Sequence, residues 1–278
     1  MPLMPDVMLT EKETMSKYSW NANDYKTNSQ VQQVWAKELI EKLSLNGTED
    51  ILDLGCGDGK VTAEISNAVK SGTVIGIDNS SSMIAFAKEH FTSEKHSNLS
   101  FQEMNAQNLN FEECFDIVFS NAVLHWVKDH NSVLEGIYKS LKKKGRILLQ
   151  MGGKGGVSQL ISVLDEILSY SVWQAYFQDF EFPYTFLGVE EYETMLLDRG
   201  FQIKRVELIH KDAVHEGKEK FKGWIRTTWI PYLERIPEEK REEFIETLVS
   251  KYIEQVPLDA KDNIHVDMVM LEVEAEKA

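Results

Sequence analysis

Ile51-Leu52-Asp53-Leu54-Gly55-Cys56-Gly57-Asp58-Gly59-Lys60 decides the fold of this chain, because an apolar run passes directly into three alternating glycines. The apolar run predicts a buried parallel strand, and the glycines allow a sharp turn that brings the backbone close to a ligand. Residues 61–69 predict a helix whose N-terminus faces that ligand. Strand, turn and helix together indicate a site that cradles a nucleotide.

The spacing of the glycines separates two kinds of nucleotide site. Gly55, Gly57 and Gly59 follow G-x-G-x-G, whereas dinucleotide-binding turns follow G-x-G-x-x-G. Asp53 lies two residues before the first glycine, where a carboxylate repels a pyrophosphate but suits a cation. An NAD-type domain stays the alternative for this stretch taken alone.

A second acidic residue ends the next predicted strand. Residues 72–78 form another apolar run, and its last residue is Asp78. An acid at this place typically accepts hydrogen bonds from ribose hydroxyls. The two strands, the glycine turn and the two acids resemble the S-adenosylmethionine site of class I methyltransferases. The resemblance implies an α/β fold: a seven-stranded, mostly parallel, Rossmann-like sheet with an antiparallel last strand and a helical substrate cap.

Residues 121–134 carry a closer resemblance. They read Asn-Ala-x-x-x-Trp-Val-x-Asp-His followed by x-x-Val-Leu, which is similar to the trans-aconitate and juvenile-hormone-acid methyltransferases. Residues 224–233, a Trp and then Pro-Tyr-Leu, resemble the same group. Both groups methylate carboxylates. The resemblance implies transfer of a methyl group from S-adenosyl-L-methionine to a small-molecule carboxylate by in-line displacement, with S-adenosyl-L-homocysteine as the product.

The same resemblance implies a set of cofactor-binding residues at the ends of the first four strands and nearby: Tyr25, Asp53, Gly55, Cys56, Gly57, Asp78, Asn79, Met83, Asn105, Ala106 and Asn121. Asn105 stands where related enzymes often carry an acid that accepts from the adenine amino group, and an amide oxygen also accepts. Met83 is either an adenine contact or an ordinary residue of the helix core.

Three residues are the candidates for catalysis. The resemblance to the juvenile-hormone-acid methyltransferases implies that the amide of Gln32 donates to the acceptor carboxylate and that the indole N–H of Trp126 donates to the same group, although each residue is also compatible with a purely structural role. His125 has two readings: a base that deprotonates an amine or a hydroxyl, or a residue that orients a neighbour. N- or O-methylation with His125 as base is therefore one alternative function. A catalytically silent protein that binds S-adenosylmethionine is another.

Composition limits the remaining possibilities. The chain has 278 residues, of which 42% are hydrophobic, enough for one large α/β domain. We expect residues 1–278 to form a single methyltransferase domain, with its core in residues 46–151, 189–211 and 262–275 and its cap in residues 16–45, 152–188 and 212–261.

Net charge, cysteine spacing and the lack of apolar runs limit which partners and which location we expect for the protein. A net charge of -15 opposes binding to nucleic acid, and residues 121–124 lack the Asn-Pro-Pro-Tyr motif of nucleic-acid methyltransferases. Two cysteines without metal-ligand spacing predict neither a disulfide nor a metal site. The absence of a signal peptide and of a membrane-spanning run predicts a cytoplasmic protein. The oligomeric state stays open, with a monomer favoured.

The rest of the chain predicts further elements of the fold. Gly152 to Gly156 is interpreted as a flexible connector, and an aromatic-rich stretch around Pro183 as a substrate lid. Other elements follow from periodicity: helices over residues 131–141, 189–199, 217–235 and 237–255, and strands over residues 99–103, 115–120, 146–151, 201–208 and 264–273.

Overall fold

A computed structural model describes Trp20, Asp24 and residues 30–278, with the side chains of the first two and of every residue from Val34 onward. Its described residues contain one seven-stranded sheet with the order β3-β2-β1-β4-β5-β7-β6. Strands β1 to β5 are parallel, and β7 is antiparallel to both β5 and β6. The strands are β1 (Ile51–Leu54), β2 (Val74–Asp78), β3 (Leu99–Glu103), β4 (Phe115–Asn121), β5 (Leu141–Gly152), β6 (Phe201–Glu216) and β7 (Asn263–Lys277). The predicted fold class is confirmed.

Helices cover both faces of this sheet. They are α1 (Gln30–Lys42), α2 (Lys60–Ala68), α3 (Ser81–His90), α4 (His130–Ser140), α5 (Ser158–Leu168), α6 (Val189–Asp198), α7 (Gly217–Thr228), α8 (Ile230–Leu233) and α9 (Glu238–Gln255). Short 3-10 turns occur at Ala106–Asn108, Leu124–Trp126 and Gln174–Phe177. Among the described helices, none combines the length and the apolarity that crossing a membrane requires.

The strand order explains where a ligand would bind. All four residues of β1 are buried, as expected for a strand covered on both faces. From β1 the chain builds outward to β2 and β3 on one side and to β4 and β5 on the other. The crevice beyond the carboxyl ends of β1 and β4 is therefore the switch point at which doubly wound sheets bind ligands.

Strand β5 begins five residues earlier than the predicted Arg146. Leu141 already pairs with Phe115, and the register then shifts before Ile117 pairs with Arg146. Lys142 donates to Asp50 and Asp116 at 2.7 and 2.8 Å. Lys142, the first of three consecutive lysines, therefore forms ion pairs at the start of a strand.

Strands β6 and β7 are longer than the sequence pattern suggested, at 16 and 15 residues. Their far ends extend beyond β5 while staying paired with each other, and they pack against α5, α7 and α9 in an apolar cluster that we call the cap cluster. It includes Trp173, Phe221, Phe244, Tyr252 and Val266. The length of β6 would be predicted from the alternation of apolar and polar residues, and the many charged side chains on its exposed side make that alternation hard to recognise.

The loop after β5 is hydrogen-bonded and closely packed, which does not match the interpretation as a flexible connector. Gly153 N–H donates to Val269 O at 2.9 Å, and Lys154 N–H donates to Leu187 O at 2.9 Å. A Cβ at Gly153 would lie 2.5 Å from Leu208 Cδ2 and 2.9 Å from the backbone N of Leu271. Close approach of two backbones therefore explains this glycine.

A buried ionic cluster fastens helix α1 to the sheet. Glu272 on β7 is fully buried and accepts from Lys42 at the end of α1, from Arg205 on β6 and, at 2.7 Å, from Gln150 Nε2 on β5. Burial alone raises the pKa of Glu272, but these three donors together hold it below its ordinary value. Because α1 also carries Gln32 and Trp35, this cluster sets the position of the helix over the crevice.

Candidate active site

The glycine turn lies against the second strand and presents bare backbone to the crevice. The amides of Gly55 and Cys56 both donate to Ile77 O, at 2.8 and 2.9 Å. Gly55 has a φ of +75°, and a Cβ there would lie 2.3 Å from Val123 Cγ1. Only glycine fits this conformation and this space, so the turn forms a cradle that a side chain would fill.

Asp78 at the end of β2 is oriented by two backbone amides. Gly57 N–H donates to Oδ2 at 3.0 Å, and Ser80 N–H donates to Oδ1 at 2.9 Å. Burial raises the pKa of Asp78 above its ordinary value, and these amides only partly offset the rise. Each oxygen retains capacity for a further hydrogen bond, as the predicted contact with ribose hydroxyls requires.

Asp53 lies beneath the turn, 2% exposed, and accepts a hydrogen bond from Thr62 Oγ1 at 2.7 Å. Burial raises the pKa of Asp53 to about 7; the Thr62 hydroxyl opposes this rise, and the charge of Asp78 adds to it. Among the described residues, neither carboxylate is part of an ion pair. Two buried acids without a counter-charge favour a cationic ligand, and the sulfonium and ammonium groups of S-adenosylmethionine have that character.

A cavity of about 670 Å³ opens at this edge of the sheet. Nine of the predicted site residues line it: Gly55, Gly57, Asp78, Asn79, Met83, Asn105, Ala106, His125 and Trp126. Three others, Asp53, Cys56 and Asn121, lie beside the cavity without lining it. Tyr25 lies outside the described residues, and Gln32 lies in α1 but its side chain is not among those described.

Met83 and Asn105 each serve the protein itself as well as the cavity. Met83 lines the cavity and also packs against Phe86 and Trp20, so its two readings are compatible. Asn105 Oδ1 accepts from Gln107 N–H at 2.9 Å and thereby caps the turn Ala106–Asn108. A carbonyl oxygen accepts two hydrogen bonds, so the capped Asn105 still has one lone pair for a ligand.

Aromatic side chains form most of the wall opposite the glycine turn: Trp20, Trp35, Trp126, Phe180, Phe182, Tyr184, Phe186, Trp224 and Trp229. The ring of Trp126 lies 4.8 Å from that of Tyr184 and 5.1 Å from that of Trp20. The stretch around Pro183 lines the cavity, and its role as a substrate lid stays a prediction. Sequence reasoning missed Trp20 and Trp35 as lining residues, because no local signal shows which aromatic residues of the N-terminal segment turn toward the site.

The charged side chains that line the cavity, apart from Asp78, are exposed. They are Lys128, Asp179, Glu181, Glu234 and Arg235. Lys128 Nζ donates to the carbonyls of Phe182 and Tyr184 at 2.8 and 3.1 Å. Arg235 donates to Tyr176 O and Gln178 O at 3.1 and 2.7 Å. The two cations therefore hold residues 176–187, which we call the aromatic segment, by hydrogen bonds to its backbone carbonyls.

His125 is held in one tautomer by the backbone. Gly152 N–H donates to its Nδ1 at 3.3 Å, so the neutral ring carries its proton on Nε2. Burial lowers the pKa of His125 to about 3, and the nearby His130 adds to the shift. The imidazole is thus neutral at physiological pH.

Potential metal ligands are not grouped in the described part of the chain. Within the range that the structure describes, no group of three or more His, Cys, Asp or Glu side chains is arranged to hold a metal ion. The donors around the cavity include backbone amides and indole and imidazole N–H groups, which suit an organic ligand.

Residues 45–173 match the family described as "Methyltransferase domain". The chain is 31% identical to an uncharacterized methyltransferase of Schizosaccharomyces pombe over 203 residues, covering 70% of this chain and 75% of that protein. This likeness extends well beyond the glycine turn.

Two further relatives carry names that state an acceptor. A trans-aconitate 2-methyltransferase of Enterobacter is 26% identical, over 88% of this chain and 93% of that protein. The juvenile hormone acid O-methyltransferase of Drosophila melanogaster is 28% identical, over 82% of this chain and 81% of that protein. Among solved structures, a Haemonchus contortus phosphoethanolamine N-methyltransferase 2 in complex with S-adenosyl-L-methionine matches with a TM-score of 0.60 at 19% identity, covering 99% of this chain and 61% of that one.

Proposed function

The chain belongs to the S-adenosylmethionine-dependent methyltransferases, and we propose that it methylates the carboxylate of a small, largely apolar acid. S-adenosylmethionine supplies an electrophilic methyl group when bound. The protein's own tasks are then to hold the acceptor in line, to exclude water and to leave the acceptor nucleophilic.

The state of His125 is the observation that carries the proposal. An amine or a hydroxyl acceptor needs a group that removes its proton, whereas a carboxylate is already ionised at neutral pH. His125 faces the cavity as a neutral ring whose Nδ1 already accepts from Gly152. The remaining charged side chains of the lining, apart from Asp78, are exposed. A cavity without a poised base favours an acceptor that needs none.

The proposed roles follow from the positions of the lining residues. Asp78 would accept from ribose hydroxyls, and the cradle at Gly55 and Gly57 would receive the methionine portion. Met83, Asn105 and Ala106 would contact the adenine, next to Asn79. Asp53, Cys56 and Asn121, which lie beside the cavity, would position these cofactor-binding residues. Tyr25 would close over the bound cofactor.

The acceptor would be held on the other side of the cavity. The indole N–H of Trp126 and the amide of Gln32 would donate to its carboxylate. The aromatic wall would surround its apolar part and keep water away from the reacting oxygen.

The charged and aromatic residues that line the cavity indicate which kind of carboxylic acid it would accept. Both named relatives act on acids, but aconitate is a tricarboxylate, which would need several cations. Here the two cations, Lys128 and Arg235, are bonded to backbone carbonyls, and three exposed acids stand beside them: Asp179, Glu181 and Glu234. Aromatic walls and acidic surroundings favour a monoacid with a hydrophobic tail.

The test begins with calorimetric titration of S-adenosylmethionine and S-adenosylhomocysteine into wild type and Asp78→Ala. Transfer of a radiolabelled methyl group is then measured to dodecanoate, trans-aconitate, phenethylamine and 4-ethylphenol. We expect binding that the variant loses, and transfer to dodecanoate that alkali releases as methanol, because esters are cleaved by base. Transfer to the amine or the phenol alone would refute the proposal, and binding without any transfer would favour the silent binding protein.

A further inference from the structure

His125 projects into the cavity from the turn Leu124–Trp126, directly after β4. Its ring lies 5.8 Å from that of Trp126, 6.0 Å from that of Tyr184 and 6.2 Å from that of Phe186. Its carbonyl accepts from Thr185 N–H at 2.8 Å. Packing and backbone bonding thus hold the residue in place from both sides.

Gly152 is what allows the backbone to reach this ring. A Cβ at that position would lie 2.7 Å from Phe186 Cε1 and 3.6 Å from His125 Cγ. Without a side chain there, the Gly152 amide comes within 3.3 Å of Nδ1. The main chain at the end of β5 therefore selects the tautomer of a side chain that follows β4.

Nε2 is the atom left for a ligand. Among the described residues, no hydrogen bond to Nε2 of His125 is formed, although the ring lines the cavity. A protonated imidazole nitrogen is a donor only. The site therefore offers one N–H of fixed direction beside the indole of Trp126.

We propose that His125 donates its Nε2–H to the acceptor carboxylate and orients it for methyl transfer. This inference rests on the proposed function, and it replaces the role of base with that of a donor. Donation to one carboxylate oxygen leaves the other free to attack. The carboxylate oxygen then forms the new bond to the methyl carbon as the carbon–sulfur bond breaks and its electron pair stays on sulfur, so no proton has to leave the acceptor.

A neutral donor suits this reaction better than a charged one. An imidazolium would repel the sulfonium and would draw electron density from the attacking carboxylate. Burial among aromatic rings keeps the imidazole neutral, and His130 is the titratable neighbour whose charge acts in the same direction. The aromatic wall therefore also controls the charge of the donor.

The kinetic consequence separates a donor from a base. The carboxylate loses its negative charge as the ester forms, so its hydrogen bond is at least as strong in the ground state as in the transition state. Removing the donor in His125→Leu should raise KM by roughly 10- to 100-fold, with a smaller change in kcat. His125→Gln, whose amide nitrogen reaches the place of Nε2, should recover most of that loss. Loss of a base would instead lower kcat, and glutamine would not restore it.

The experiment combines 15N-histidine NMR of the full chain with kinetics on dodecanoate. The His125 signals are assigned by their absence in His125→Gln. His210→Gln is the matched control, because His210 is exposed and bonded to Asp267 outside the cavity. We expect a non-protonated Nδ1 and a protonated Nε2 between pH 5 and 8, and unchanged kinetics in the control.

Each outcome decides the inference. A proton on Nδ1, or an imidazolium at pH 6, would overturn it whatever the acceptor is. Wild-type transfer to dodecanoate with an unchanged KM in His125→Leu would overturn it and leave the proposed function standing. Transfer to amines or phenols alone, or to none of the acceptors, would overturn both.

Discussion

Replacing Gly55 by alanine tests the cradle directly, and Gly217 provides a matched control. Both glycines have a φ of +75°, but a Cβ at Gly217 meets nothing within 4 Å. A left-handed conformation costs a non-glycine residue about 1–2 kcal/mol. Gly217→Ala should therefore lower the free energy of unfolding by about that amount.

Gly55→Ala adds a steric cost to the same backbone cost. The new Cβ would lie 2.3 and 2.4 Å from the two methyl carbons of Val123 and 2.7 Å from its Cβ. Overpacking of this kind typically costs about 1–3 kcal/mol, which brings the total to about 2–5 kcal/mol. At roughly 2–4 °C per kcal/mol for a chain of this size class, Tm should fall by about 4–20 °C.

Urea unfolding followed by fluorescence, and calorimetric titration of S-adenosylhomocysteine, measure the two consequences. Gly55→Ala should also weaken ligand binding because Gly55 lines the cavity, whereas Gly217→Ala should not. Equal destabilisation of the two variants would refute the reasoning, because the steric contact with Val123 would then contribute nothing to the loss in free energy of unfolding. Unchanged ligand affinity in Gly55→Ala would refute the cradle.

Three further predictions concern charge and the lid. Burial raises the folded-state pKa of Asp53 above its unfolded value to about 7, so ionisation of this group destabilises the folded state increasingly as pH rises from about 4 to 7. Asp53→Asn should therefore gain stability relative to wild type between pH 5 and 8. A difference in urea midpoint that stays constant over this range would contradict the prediction. Glu272→Ala leaves the buried Gln150 amide and the partly exposed Lys42 and Arg205 without their shared acceptor and should cost about 1–3 kcal/mol. Glu207→Ala, on the same Arg205 but 48% exposed, should cost less than about 1 kcal/mol, and equal urea midpoints for the two variants would contradict this. Lys128→Ala removes two bonds to the aromatic segment and should speed hydrogen exchange in residues 180–187, with unaltered protection there as the contrary result.

Much of the cofactor side of the site was predictable from the sequence, because its signals are local. β1, the glycine turn and α2 follow one another within 20 residues, and Asp78 ends the next apolar run. A single sequence therefore predicted which strand ends border the cavity, and nine of the predicted residues line it. Ser80 caps α3 by an equally local contact, since its side chain accepts from Met83 N–H at 3.4 Å.

The part of the cavity that we propose holds the methyl acceptor could not be predicted in the same way, because it is built by contacts between distant parts of the chain. Trp20 lies 106 positions from Trp126, the ring that it contacts, and Lys42 lies 230 positions from Glu272. No periodicity within either segment predicts such a pairing, because each side chain satisfies local rules whether or not its partner arrives. The lengths of β6 and β7 were hidden for a related reason, since their far ends are defined by the helices that pack on them.

The sequence by itself determined the class of the sheet, the glycine turn and the two acids, since apolar runs and glycine spacing act through neighbours along the chain. Only the tertiary structure decided the chemistry of His125. Its residue type allows a base, a donor or an inert core residue, and all three are compatible with its place after β4. The amide of Gly152, 27 positions away, and the burial of the ring fix its tautomer and its charge, and these favour the donor role that we propose. Protonation state and tautomer are set by whatever surrounds the imidazole in space.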